Sequence, residues 1–75
     1  MKHQATHPNF SHWQTRTIEV DRPIMINEKS VSVSGEIIGG TVYFPLSCIN
    51  VISQFEIEVP VWLLKKSSKN LNHLI

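Results

Sequence analysis

Four histidines, one cysteine and six carboxylates are the groups in this 75-residue chain best suited to chemistry, and their spacing decides which chemistry is open. His3, His7 and His12 crowd the first dozen residues, and His73 lies near the opposite end. The run H-x3-H-x4-H comes without the cysteine pair that accompanies histidine in structural zinc sites. A histidine in third position behind a free amino group can wrap Cu(II) or Ni(II) in a square plane of nitrogens. That capacity belongs to any such terminus, so neither a metal nor any other cofactor is expected.

Cys48 would need a nearby cation or basic group to become a thiolate nucleophile. It lies instead between Leu46 and Ile49 in an uncharged stretch, where a free cysteine behaves as a small buried hydrophobe. The carboxylates fall as Glu19/Asp21, Glu28, Glu36 and Glu56/Glu58. Pairs two apart share one face of a strand, the pattern of a solvated outer face, and glycoside cleavage also requires a cleft between its carboxylates. The chain contains no G-x-S-x-G and no glycine-rich phosphate loop. A non-enzymatic protein is expected, with catalysis plausible only for a site shared between several chains.

The aromatics say more. Strand alternation turns Tyr43 and Trp62 away from the apolar rows. Beside Lys65 and Lys66, such rings can stack nucleic-acid bases. Tyr and Trp also anchor protein interfaces. A third reading closes them in a small cluster with Trp13 beneath the termini, and for Tyr43 this reading is preferred. The candidate set for partner binding or self-association is Tyr43, Trp62, Leu64, Lys65 and Lys66.

Charge ranks the partners. The net charge of +1 hides a partition: +2 over residues 1–18 (Lys2, Arg16), −4 over residues 19–58 (six acids against Arg22 and Lys29), and +3 over residues 59–75 (Lys65, Lys66, Lys69). An acidic body lacks the basic stripe that phosphate neutralisation demands, and three terminal lysines read first as a solubilising tail. A protein partner and a homo-oligomer are expected; single-stranded nucleic acid, bound through Trp62 and the tail, is the alternative.

To hold these residues the chain must build strands. Apolar residues make up 41% and charged residues 17%, the balance of a folded domain. Residues 37–55 carry no charge and approach the length of a spanning helix. Gly39-Gly40, Pro45, Asn50 and the many β-branched residues make that stretch strand and turn, so no membrane is expected. A polar start and a lone thiol point to the cytoplasm.

Residues 1–12 lack periodicity and predict a flexible lead-in to one β domain over residues 13–64, followed by a basic, partly flexible tail over residues 65–75. From Thr15 the period is 2, with Ile18 and Val20 sharing a face. Ile24-Met25-Ile26 is a short strand, and Val31, Val33 and Ile37 point inward from the next one. Gly39-Gly40 predicts a two-residue hairpin loop, because glycine supplies positive φ without steric cost. That loop sets Ile37 opposite Val42, Gly35 opposite Phe44 and Val33 opposite Leu46, with Ile38 on the outer face. Leu46 to Ile52 loses the alternation, which predicts one helical turn. Residues 55–64 read as the last strand, with Pro60 arguing for an edge position or a bulge there. Its end, Val61-Trp62-Leu63-Leu64, is apolar on both faces and predicts self-association near Trp62 unless Leu71, Leu74 and Ile75 fold back over it.

The fold class is all-β: a small five-stranded SH3/Sm-like barrel, or a strongly twisted antiparallel sheet, with one short helical turn. The stretch from Gly39-Gly40 through Val42-Tyr43-Phe44-Pro45 into Leu46 to Ile52 resembles the end of the Sm-like barrel in stringent starvation protein B, an adaptor family that delivers tagged substrates to a protease. The resemblance implies the fold. The N-terminal helical part with which those adaptors dimerise has no counterpart here.

Overall fold

A computed structural model describes residues 2–67 and 69–75. The period-2 segments are strands: β1 (Thr15–Glu19), β2 (Met25–Ile26), β3 (Ser30–Gly35), β4 (Gly40–Pro45), β5 (Asn50–Ser53) and β6 (Glu56–Pro60). They form two three-stranded antiparallel sheets, ordered β1-β6-β5 and β2-β3-β4. The chain is therefore mostly β. Among the described residues there are six strands rather than the five expected, and no ladder closes the two sheets into a barrel. The helical turn expected after Pro45 is a 3-10 turn over Leu46–Cys48.

Alternation places Ile18, Val31, Val33, Val42, Phe44, Ile57 and Val59 in one core between the sheets, with Ile24, Ile49 and Val51 beside them. Cys48 is buried there as a free thiol, as its apolar setting predicts. No helix of the described residues is long and apolar enough to cross a membrane.

The β3–β4 hairpin differs from the sequence-based expectation. Its closing pair is Gly35↔Gly40, Val33 faces Val42 and Val31 faces Phe44, so Glu36, Ile37, Ile38 and Gly39 form a four-residue loop. The amide of Gly39 donates to the carbonyl of Gly35 at 3.0 Å, curling the loop into one helical turn. Three glycines share the positive φ values: Gly35 at 147°, Gly39 at 78° and Gly40 at 136°. Each partner is displaced by four residues, an even number, so Val33, Val42 and Phe44 still point inward. Inside the loop that parity is lost. Ile38 is buried and Ile37 is exposed, the reverse of the expectation.

The last expected strand ends early. β6 stops at Pro60, and Val61–Lys66 is a short helix, α1. Pro60 lies in the central strand of its sheet rather than on an edge. It is nevertheless accommodated, because it is the terminal residue, opposite Thr15, where β5 has already finished pairing. On α1 the residues Val61, Leu63 and Leu64 turn inward, so the apolar run has a core to cover it. Lys65 and Lys66 occupy the last turn, where cations suit the helix dipole. Beyond α1, Leu71 is 1% exposed and Leu74 packs against the core, bringing the tail back over the body.

The N-terminal segment, read from sequence as a flexible lead-in, runs along the free side of β5. His3 bridges to Val51 through two backbone hydrogen bonds of 3.0 and 2.8 Å, and the amides of Thr6 and His7 both donate to the carbonyl of Ser47. A 3-10 turn at Phe10–His12 then leads into Trp13.

Candidate functional site

Two surface regions gather the residues singled out by sequence. The first is an aromatic column where the N-terminal segment meets α1. Trp13 packs edge-on against Trp62, with ring centroids 5.1 Å apart. His7 and Phe10 lie on the other sides of Trp13, at 4.5 and 5.9 Å. The ammonium of Lys66 sits 5.9 Å from the Trp62 ring centroid. Trp62 is thus half-buried, with Trp13 and Lys66 against its ring, and its indole N–H has no hydrogen-bond partner among the described residues. The column joins the N-terminal segment to α1.

The second region is the outer face of the β2-β3-β4 sheet. Cross-strand register aligns Met25, Ser32 and Tyr43 in one row, flanked by Ser34 with Thr41 and by Ser30 with Pro45. Met25 is 58% exposed and Tyr43 68%, and none of the seven residues is charged. Among the described residues, their hydroxyls make no hydrogen bond within the chain. Tyr43 does not join the Trp13 cluster, which corrects the reading preferred for it. It stands on β4, on the outer face of the other sheet.

The candidate set is therefore divided. Trp62, Lys65 and Lys66 share α1, Tyr43 stands apart, and Leu64 is 1% exposed and belongs to the core. Sequence reasoning missed Met25, because a two-residue strand offers too little alternation to assign its faces. Its register against Ser32 becomes visible only once β3 is placed.

Glu58 was also misjudged. It is half-buried, one carboxylate oxygen accepting from the Thr15 hydroxyl at 2.6 Å and the other from the Asn50 side chain at 2.9 Å. Asn50 in turn accepts from the amide of Ala5 at 2.6 Å. The relay ties β1, β6, β5 and the N-terminal segment across one face. The histidines are likewise used internally: His3 Nε2 meets the Leu46 carbonyl at 2.8 Å, and His73 Nε2 meets the Ile37 carbonyl at 2.7 Å. The His3 amide, which square-planar Cu(II) or Ni(II) binding would consume, is engaged with Val51. Among the described residues no three His, Cys, Asp or Glu side chains converge on a metal position.

The clefts are open to solvent. One of about 510 Å³ lies beside Asp21, Arg22 and the glycines of the hairpin, and another of about 370 Å³ beside His3, Asn50 and Val51. Neither brings a nucleophile to a base. Comparison with known proteins adds no further constraint: no family model, no curated protein and no solved structure matches this chain.

Proposed function

We propose that the chain is a non-enzymatic interaction protein whose contact surface is the uncharged outer face of the β2-β3-β4 sheet. The observation that carries this reading is the Met25-Ser32-Tyr43 row, where two large exposed side chains flank a serine and no charge intrudes. Interface centres are depleted in charge and enriched in Tyr and Met, and an exposed tyrosine orders few torsions on binding. The finer fold reading belongs here too. A 3-10 turn between β4 and β5, and the pairing of the first strand with the last, support a small barrel of the SH3 or Sm type with its seams open. The buried free thiol supports a reducing, cytoplasmic setting.

Photo-crosslinking tests the surface. A crosslinking phenylalanine analogue at Tyr43 or Met25, expressed in the native host, should give one discrete protein adduct. The same analogue at Thr17, exposed on the other sheet, should give none. Equal labelling at all three positions would refute the reading. Single-stranded nucleic acid remains the second reading, favoured by Lys66 over Trp62. Its weakness is geometric: Trp13 and Lys66 already occupy positions against the ring on which a base would stack. Oligonucleotide binding that weakens with salt and is lost in Lys65→Glu/Lys66→Glu would promote it over protein contact.

A further inference from the structure

Sheets end in unpaired N–H and C=O groups, and proteins blunt such edges by shortening, charging or covering them. Three of the four edges here are treated in one of those ways. β2 is only two residues long. β1 carries Arg16 and Glu19. The free side of β5 is bridged by His3. β4 is six residues long and wholly uncharged, and among the described residues its backbone hydrogen bonds go to β3 alone.

Which β4 groups face outward follows from the phase of the ladder. The Asn27 amide donates to Ser30, and the Leu46 amide donates to Lys29. In an antiparallel pair hydrogen-bonded and non-bonded positions alternate. Ser30 and Ser32 therefore bond toward β2, while Val31, Val33 and Gly35 bond toward Phe44, Val42 and Gly40. What remains for the free edge is the N–H and C=O of Thr41 and Tyr43, and the C=O of Pro45.

We infer that this edge pairs with β4 of a second copy, antiparallel and centred on Tyr43. The inference rests on reading the Tyr43 face as a contact surface and names its occupant. In that register the two Tyr43 residues exchange N–H···O=C bonds, and each Thr41 amide donates to the partner's Pro45 carbonyl. Pro45 is asked only for the group it has. A two-fold pairing places a strand against itself, so a charge at its centre would oppose its own copy; β4, the longest of the four edges, carries none. The centre at Tyr43 also keeps the overlap clear of Gly40, against which the Lys69 side chain packs. The product is one continuous six-stranded sheet, with Tyr43 beside its symmetry mate and the serine-rich faces joined. It adds burial that a 75-residue core lacks.

Sedimentation equilibrium and amide hydrogen exchange on the full chain test this, with the variants Tyr43→Lys and Thr41→Pro. The wild type should sediment with twice the monomer mass at micromolar concentration, and the Thr41 and Tyr43 amides should exchange on the order of tenfold more slowly as concentration rises. Tyr43→Lys opposes like charges through a side chain that is already exposed. Thr41→Pro deletes an outward N–H and leaves the face intact. Both should sediment as monomers with near-ultraviolet dichroism unchanged. If Thr41→Pro disturbs the fold, Tyr43→Lys and the exchange data decide. A wild type monomeric at a hundred micromolar overturns the pairing and leaves the face to the crosslinking result. A dimer that persists in Thr41→Pro but is lost in Met25→Lys overturns edge pairing in favour of face-to-face contact.

Discussion

The two sheets share a core and differ in everything outside it. On the β1-β6-β5 sheet three outward polar side chains are used internally: Thr15 and Asn50 hold Glu58 from either side, and Asn50 holds the backbone of Ala5. One edge is charged and the other is bridged by His3. On the β2-β3-β4 sheet the outward hydroxyls of Ser30, Ser32, Ser34, Thr41 and Tyr43 hold nothing among the described residues, and the outer edge of β4 pairs with no strand there. Polar residues on a sheet thus serve two distinct ends, internal closure and external availability. Composition alone cannot tell them apart, since both sets are hydroxyls and amides at alternating positions.

The shared core sets the largest effect. Phe44 is fully buried from one sheet and Ile57 from the other. Truncating Phe44 to alanine should cost about 3–5 kcal/mol, and Ile57→Ala about 2–5 kcal/mol, read by chemical denaturation. Comparable losses establish one core. If either variant unfolds with a separate, smaller transition, the sheets are independent units and the comparison fails.

Next comes the joint between β3 and the segment after β1. Gly35 has φ of 147°, and a Cβ there would sit on the Asp21 carboxylate oxygen, which accepts from the Glu36 amide at 3.2 Å. Gly35→Ala should lose about 1–3 kcal/mol, since a side chain in this backbone region is strained whatever the space. Gly39, also at positive φ, has open space around it, so Gly39→Asn should fall well below that loss. Equal costs for the two would mean that conformation alone, without Asp21, sets the joint.

These glycines also show what was legible in the sequence. Period-2 alternation identified the inward residues of β1, β3 and β4, because side-chain parity survives an even shift of register. It did not identify the loop length. A glycine pair suits a two-residue turn, but here Gly40 begins β4 and Gly35 ends β3, and the chain gains a hydrogen-bonded turn with buried Ile38. Val61-Trp62-Leu63-Leu64 failed for a different reason. Four apolar residues satisfy a period of 2 or 3.6 equally, and only the core beneath Val61 and Leu64 selects the helix. The candidate site was half legible. Tyr43 and Trp62 are conspicuous by type, yet the partners that decide their roles, Met25 and Trp13, are set by cross-strand register and by docking of the N-terminal segment. Glu58 read as solvent-facing because nothing local reveals that Thr15 and Asn50 flank it.

The Glu58 relay gives a smaller effect confined to one sheet. Hydrogen bonds to a charged acceptor contribute about 1.5–3 kcal/mol when buried, and less at a half-buried site. Glu58→Ala should therefore destabilise by about 1–2 kcal/mol. It should also speed amide exchange at Ala5, whose acceptor Asn50 loses its support. Glu58→Gln should recover part of the loss, because its carbonyl still accepts from one neighbour. Exchange at the Ala5 amide unchanged in Glu58→Ala would show that the His3 bridge and the Ser47 contacts hold the N-terminal segment without the relay.

The smallest effect is the most discriminating between the sheets. Ser32 lies half-buried between Met25 and Tyr43, with no side-chain hydrogen bond among the described residues. Thr15 occupies a comparable half-buried position on the other sheet and donates to Glu58 at 2.6 Å. Alanine replaces a hydroxyl in both, so their difference isolates what the hydroxyl does. Ser32→Ala should leave stability within about 0.5 kcal/mol of wild type, as surface changes away from structural features do. Thr15→Ala should cost about 1 kcal/mol, since it also leaves a carboxylate oxygen without its donor. Both values must be measured at a concentration where the chain is monomeric, because pairing through β4 would shelter Ser32 and Tyr43 and lend the folded state a concentration-dependent gain. A Ser32→Ala loss equal to that of Thr15→Ala under those conditions would mean that the serine-rich face is also structural, and the surface proposed for partners would lose its distinction.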